Sequence, residues 1–235
     1  MQARMGSSRL PGKVLLKAGG KTFLEHAFER LQMARTVDQC VVATTTENQD
    51  DVLSHFCKSR GWLSTRGPEQ DVLTRYYQAA RRFPADIIVR VTADCPLLDP
   101  DLIDQVVELL ICGLPDLSYA SNVLEPRHFP RGLDVEAFKF SALEEAWRKA
   151  NDPSDREHVT PFLRNHPENF PQNAIHAKQN NASHRWTLDT PEDQQLLTRI
   201  LDYAPEPAPW KTILSLVETN PEWSELNAKI RQKEQ

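Results

Sequence analysis

The hydrophobic positions of this chain follow two rhythms: short continuous apolar runs, and longer stretches with apolar residues three and four apart. Residues 39–44 (QCVVAT) and 86–92 (DIIVRVT) are of the first kind. Apolar, β-branched runs of this length without alternation predict strands buried on both faces of a parallel sheet. Leu24, Ala27, Phe28 and Leu31 are of the second kind, and they follow Thr22-x-x-Glu25. That pattern is a capping box, so it predicts the start of a helix. Val52, Leu53 and Phe56 predict a helix after the first run, and Val72, Leu73, Tyr76 and Ala80 predict another. Residues 62–65 read as a brief strand between them, and Tyr76 and Tyr77 as core. After the second run, Asp99 with Pro100 marks a helix start, and Ile103, Val106, Val107 and Leu110 supply its buried face. Three strand–helix units in succession predict right-handed crossovers and a sheet covered by helices on both faces.

Beyond Leu114 the rhythm shortens. Residues 117–120 and 134–138 read as strands separated by a loop over 122–131 that is rich in Pro, Arg and His. Ser141-x-x-Glu144 predicts another helix cap, residues 155–165 one further helix, and residues 185–188 a last strand. The polar run 172–183 predicts no element. Thr190-Pro191 opens a helix to about Tyr203, after which Pro205, Pro207 and Pro209 break the chain. The division predicted is a main domain over 1–203 and a Pro-rich linker with a tail of two helices over 204–235. Trp147 and Trp186 read as core or interface aromatics.

Composition narrows the function classes. A net charge of −5 over 235 residues argues against a nucleic-acid backbone as main partner. No stretch approaches the roughly 18 apolar residues of a membrane span, and no signal-peptide pattern opens the chain. Cys40, Cys57, Cys95 and Cys112 are widely spaced, which predicts reduced thiols, not a zinc site or a disulfide framework. A cytoplasmic protein is expected.

The candidate chemistry begins in the first thirteen residues, MQARMGSSRLPGK. Gly6 lets backbone approach a ligand, and Ser7 and Ser8 leave their amides accessible. Arg9 offers a planar donor fork and Lys13 a mobile point charge, a pair suited to a polyphosphate. The loop lacks the G-x4-GK[ST] pattern of a Walker A motif. In open α/β sheets ligands bind beyond the carboxyl ends of strands. Asp94 and Asp189 both fall at such ends. Either alone reads as a turn residue, but two carboxylates beside a phosphate loop are hard oxygen ligands of the kind that hold Mg²⁺.

RMGSSRLPGK resembles the N-terminal signature of the cytidylyltransferases that include CMP-sialic acid and CMP-3-deoxy-octulosonate synthetases. ATTTENQDD (43–51), RGPEQDVLTRYYQAA (66–80), RVTADCPLLDPDLID (90–104), GLDVEAF (132–138), DREHVTPFLRNHP (155–167) and RWTLDTPED (185–193) resemble, in order, the branch of the spore-coat polysaccharide biosynthesis protein F. The resemblance implies a three-layer, Rossmann-like nucleotide-diphospho-sugar transferase fold with a mixed, mostly parallel sheet. It implies attack by a sugar hydroxyl on the α-phosphorus of CTP, with pyrophosphate released. Asp94 and Asp189 would be the Mg²⁺ ligands, with Arg9 and Lys13 completing the catalytic set. Ala3, Arg4, Gly6 and Ser7 would belong to the phosphate loop, and Ala43, Thr44 and Arg75 to the walls around the base. Asp134 and Glu136 are expected at the acceptor site, with Arg156, Glu157 and His158 as further candidates and His184-Arg185 as a possible contact for an acidic sugar. The partners implied are CTP and a sugar or sugar acid, with a 2-keto-3-deoxy acid for surface polysaccharide expected, and a homodimer. Relatives of this kind carry about five more apolar residues ahead of Gln2, forming a first strand central to the sheet, so a truncated first strand is expected here. Two other classes stay open: a metal-dependent glycosyltransferase, which would not need the RMGSSRLPGK loop, and a non-catalytic member.

Overall fold

The computed structural model describes residues 1–230. The expected tail helices fall within it, except that residues 231–235 of the predicted tail lie outside the described residues. A short hairpin, β1 (Lys17–Ala18) with β2 (Lys21–Thr22), leads into α1 (Phe23–Gln32). The capping box is formed: the Glu25 amide donates to the Thr22 hydroxyl at 3.2 Å, and the Thr22 amide to the Glu25 carboxylate at 2.7 Å. Three strand–helix units follow: β3 (Val41–Thr45) with α2 (Asp51–Ser59), β4 (Leu63–Gly67) with α3 (Val72–Arg82), and β5 (Ile87–Arg90) with α4 (Pro100–Cys112). Asp99 caps α4, accepting from the Leu102 amide at 3.1 Å.

Next come β6 (Tyr119–Ser121), β7 (Glu136–Lys139), α5 (Phe140–Lys149), α6 (Pro153–His158), α7 (Pro161–Arg164) and β8 (Gln172–Ala174). The chain then forms α8 (Pro191–Tyr203), α9 (Trp210–Glu218) and α10 (Pro221–Glu225). β3 pairs in parallel with β4, and Gln2 bridges in parallel to both Ala43 and Thr92. The first three residues therefore occupy the middle of the sheet, linking β3 and β4 to the group ordered β5-β7-β6-β8. Within that group β7 runs antiparallel to β5 and β6, and β8 parallel to β6. The sheet is mixed and mostly parallel, as expected.

Leu24 and Phe28 of α1, Leu53 of α2 and Ile103, Val106 and Leu110 of α4 form one apolar layer with Val42 and Val91. A second layer joins Leu73 and Tyr76 of α3, Leu143 of α5 and Leu163 of α7 to Tyr119 and Phe138. Burying each such side chain contributes about 1.5–3 kcal/mol, so the two layers fix where the strand ends point. A third cluster packs Leu196 and Ile200 of α8 and Ile213 of α9 against Phe23, Leu97 and Trp186. Past Met1, at the amino ends of the strands, a groove of about 450 Å³ runs between Cys40 and Ile87–Val89. The Met1 amino group donates to the Val41 carbonyl at 2.9 Å, and burial pushes its pKa down to about 6.

Four expectations need correction. Residues 155–165 are two short helices, not one, because Val159 sits at φ 73°, ψ −54° and the Thr160 amide donates back to the His158 carbonyl at 2.9 Å. This is a γ-turn of the rare, strained hand, costing on the order of 1–3 kcal/mol for a β-branched residue. Residues 185–188 form no strand; a single parallel bridge joins Arg185 to Arg131. The polar run does contain one, β8, an edge strand whose polar side chains gave no apolar signal. Finally, α5 starts two residues early, at Phe140, with Lys139 as its N-cap and no side-chain cap bond, so the Ser141-x-x-Glu144 box does not form.

Candidate active site

The loop after Ala3 is held from below. Asp50, wholly buried, accepts from the Met5 amide at 2.6 Å and bonds the Thr45 hydroxyl at the end of β3. The Ser7 hydroxyl accepts from the Leu10 amide at 3.3 Å, and the Gly12 amide donates to the Met5 carbonyl at 3.0 Å, closing the loop on itself. The closed loop forms one wall of a cleft of about 570 Å³ at the carboxyl ends of the central strands. Arg4, Gly6, Ser7, Arg9 and Lys13 all face it.

Asp94 follows β5, two residues past the Gln2 bridge. Its carbonyl accepts from the Leu188 amide at 2.8 Å, which laces the 186–189 segment alongside and delivers Asp189 to the same cleft. The Lys13 ammonium stands between the two carboxylates, 2.7 Å from Asp94 Oδ2 and 2.7 Å from Asp189 Oδ1. Asp189 Oδ2 also accepts from Arg185 at 2.8 Å and pairs with Arg9 at 3.2 Å. Burial alone would raise the Asp94 carboxyl, but the Lys13 ammonium outweighs it and holds Asp94 below the usual carboxylate range. Burial likewise opposes the Lys13 charge, and the two carboxylates more than restore it, so its pKa is raised.

Behind this triad, Arg185 donates to Asp193 as well as to Asp189, and Asn227 bonds the same Asp193 at 2.8 Å. Asp193 also closes the capping box with Thr190 that starts α8. The position of Asp189 is thus fixed by a helix start and a buried arginine. Arg185 is engaged here and does not face an acceptor, and His184 lies outside the cleft.

Two carboxylates already converge on one cationic point, which is the donor chemistry of a divalent-cation site. Among the described residues no group of three His, Cys, Asp or Glu side chains is placed to hold a metal. A pair of carboxylates suits Mg²⁺, which keeps several waters and takes further ligands from substrate phosphates. Asp94 and Asp189 therefore fit such an ion, with Lys13 as the charge it would replace between them.

The far end of the cleft is built on β7. Glu136 is 3% exposed, accepts from the Tyr119 hydroxyl at 2.6 Å and is ion-paired with Arg90. Burial would raise Glu136, yet Arg90 and Arg164 bring it below its ordinary range. Asp134 is tied to Arg127. Arg164, at the end of α7, also faces the cleft, and its buried Nε has no partner among the described residues. Glu157, His158 and Thr160 face the cleft from the γ-turn. Arg156 does not: its guanidinium bonds Asp71, Thr74 and the Trp147 and Ala150 carbonyls, clamping α6 to α3 and to the end of α5.

Of the residues expected to wall the base, Arg75 is buried beside the cleft, with Nε and Nη1 unpartnered among the described residues. Ala43 and Thr44 are placed differently. Both are buried inside β3, which continues to Thr45, and neither faces the cleft. Ala3 pairs with Ala43 under the loop and Arg4 bridges to Glu69 at 3.5 Å. Arg90, Arg164 and Asp50 were not singled out from sequence. Arg90 carried a readable signal, as a lone charge inside an otherwise apolar strand run.

Trp186 is a fully buried core residue, and Trp147, partly buried, packs against the second apolar layer and donates to the Thr74 hydroxyl. No described helix is long and apolar enough to cross a membrane.

Comparison with known proteins places this site in a family. Residues 1–233 match the model of a family described as cytidylyltransferase. A solved cytidylyltransferase structure from Leptospira borgpetersenii superposes with a TM-score of 0.90 at 33% identity, over 100% of this chain and 97% of that one. The spore coat polysaccharide biosynthesis protein SpsF of Bacillus subtilis is 31% identical over 88% of this chain and 86% of its own length. A 3-deoxy-manno-octulosonate cytidylyltransferase of Trichlorobacter lovleyi is 37% identical over 49% of this chain and 44% of its own length. By these matches this chain belongs to the cytidylyltransferase family.

Proposed function

We propose that the protein transfers CMP from CTP to the hydroxyl of a 2-keto-3-deoxy sugar acid, releasing pyrophosphate, in the making of a surface polysaccharide. The observation that carries this reading is the convergence in one cleft of a cationic loop, a carboxylate pair and, at the opposite end, Arg164, whose Nε has no hydrogen-bond partner among the described residues. The acceptor class is supported by the 3-deoxy-manno-octulosonate relative. A guanidinium with free donors is a bidentate carboxylate receptor, and Arg164 is placed to serve as one.

Phosphoryl-type transfer needs little covalent help from protein; positioning and charge neutralisation supply most of the barrier reduction. Arg9 and Lys13 hold the β- and γ-phosphates as the pyrophosphate leaves. The buried Arg75 offers two unpartnered N–H groups to the cytosine carbonyl. Asp94 and Asp189 would hold Mg²⁺, which supplies charge neutralisation on the phosphate oxygens. Lys13 then exchanges its two carboxylates for phosphate, keeping its charge compensated in both states.

The test is pyrophosphate release from CTP and Mg²⁺ with a panel of eight- and nine-carbon 2-keto-3-deoxy acids, 3-deoxy-manno-octulosonate among them. Acceptor-dependent release with CTP and not with other nucleoside triphosphates is expected. Release that requires a nucleotide sugar in place of CTP would instead mark a glycosyltransferase.

A further inference from the structure

One imidazole in the cleft has no structural task. His158 is half-buried and faces the cleft, and among the described residues no hydrogen bond or ion pair engages its ring. The backbone goes out of its way to put it there. Val159 is the one non-glycine residue with positive φ among those described, and the γ-turn it makes lets His158 and Thr160 both face the cleft while the Val159 side chain goes into the core. Such a conformation persists only where surroundings over-determine it. Here the Arg156 clamp fixes α6, the Arg164 amide holds the Thr160 carbonyl at 3.0 Å, and Val159 is 1% exposed. Strain maintained by this much scaffolding, beside an unbonded imidazole, is a functional arrangement.

We propose that His158 accepts the proton of the acceptor hydroxyl as that oxygen attacks the α-phosphorus of CTP. The step rests on the transfer reading above. In it the acceptor oxygen–phosphorus bond forms, the bond from the α-phosphorus to the bridging oxygen breaks, pyrophosphate leaves with that electron pair, and the proton passes to the imidazole and then to solvent. The surroundings keep the ring ready to accept. Burial lowers its pKa; Glu157 beside it opposes this, while Arg90 from β5 and Arg164 from α7 add to it. Glu136 of β7 is paired with Arg90, and Asp134 at the same end with Arg127. The imidazole is therefore neutral at pH 7, as a base must be.

The experiment compares the wild type with His158→Gln and His158→Ala by pyrophosphate release across pH 5–9, using 3-deoxy-manno-octulosonate as acceptor and water as the fallback acceptor, with CTP affinity from calorimetry. His158→Gln is expected to lower kcat by about 10²-fold or more, to leave CTP affinity unchanged and to lose the acidic limb of the rate profile. Added imidazole should partly restore His158→Ala, which a merely structural role would not allow. In the wild type, the NMR titration of His158 should coincide with the acidic limb, a check that needs no variant to fold. His158→Gln turning over within threefold of wild type, or an acidic limb that does not follow the His158 titration, overturns the role and leaves the transfer reading standing. No wild-type pyrophosphate from CTP with any acceptor, water included, removes both.

Discussion

Gly132 is where the two halves of the active site meet, and it tolerates no side chain. Its φ is 102°, and a Cβ built on it would lie 2.4 Å from the Trp186 carbonyl oxygen, 2.5 Å from its carbon and 2.9 Å from the Thr187 nitrogen. The atoms it would strike are backbone, so no rotamer change relieves the contact. Restoring ordinary van der Waals distance means moving the 186–189 segment by roughly 1 Å, when that segment carries Asp189 and is held by the Trp186 amide on the Arg131 carbonyl at 2.7 Å and the Arg131 amide on the His184 carbonyl at 3.0 Å.

Gly132→Ala therefore combines backbone strain of about 1–2 kcal/mol with weakening of two hydrogen bonds at about 1 kcal/mol each, a loss of roughly 3–4 kcal/mol. For a chain of this length that lowers the melting temperature by roughly 5–15 °C. A displacement of about 1 Å at Asp189 should also cost on the order of 10²-fold in turnover, since charge neutralisation depends on placement. Gly20→Ala is the control: φ is 83° but no atom lies within 4 Å of the added Cβ, so only the strain remains. Thermal melts of both variants and pyrophosphate-release kinetics make the measurement. A Gly132→Ala variant that melts no lower than Gly20→Ala and turns over normally would refute the steric argument.

Three further outcomes follow from the same geometry. Asp94→Asn and Asp189→Asn should each fold and lose turnover by orders of magnitude, with the double variant little worse than either single, because both act through one cationic point; normal kinetics and Mg²⁺ dependence in either single variant would sink the shared site. With Lys13 present, Asp94 is held below its ordinary pKa, so its stabilisation is present above about pH 4 and is lost as the pH falls through the lowered value. Lys13→Met leaves two facing carboxylates, so its stability deficit should be large at pH 7 and shrink towards pH 4, and a deficit equal at both values would count against the triad. The buried Met1 amine, with its pKa near 6 against 8.0 for a free one, makes the 235-residue chain gain stability as pH rises from 6 to 8. Placing about five apolar residues ahead of Met1 fills the groove, should add a few kcal/mol at pH 6 and should abolish that pH dependence in denaturant titrations; identical profiles would refute it.

The parts of this protein legible in its sequence are those where local preference and tertiary need agree. Unbroken apolar runs located β3 and β5, and capping residues located the starts of α1, α4 and α8, because burial on both faces and orphan amides each impose a residue type. Lys13 and Asp94 were legible as loop and strand-end chemistry, whereas the strand expected to carry Asp189 does not form and the Asp94 carbonyl holds that segment in place. The convergence of the three was not legible, since Lys13 meets carboxylates 81 and 176 positions away. Ala43 and Thr44, expected beside the base, lie buried within β3, which runs on to Thr45.

The turn at Val159 was illegible for a deeper reason. Nothing in DREHVTPFLR asks a β-branched residue to adopt positive φ, although Pro161, the first residue of α7, does mark a break in the helix. The conflict is resolved by contacts distant in sequence, from Asp71 and Thr74 to Arg156. Conflicts of that kind are expected at sites where function outweighs local consistency, and this one falls on Val159, whose side chain is buried in the core while His158 and Thr160 on either side of it face the cleft.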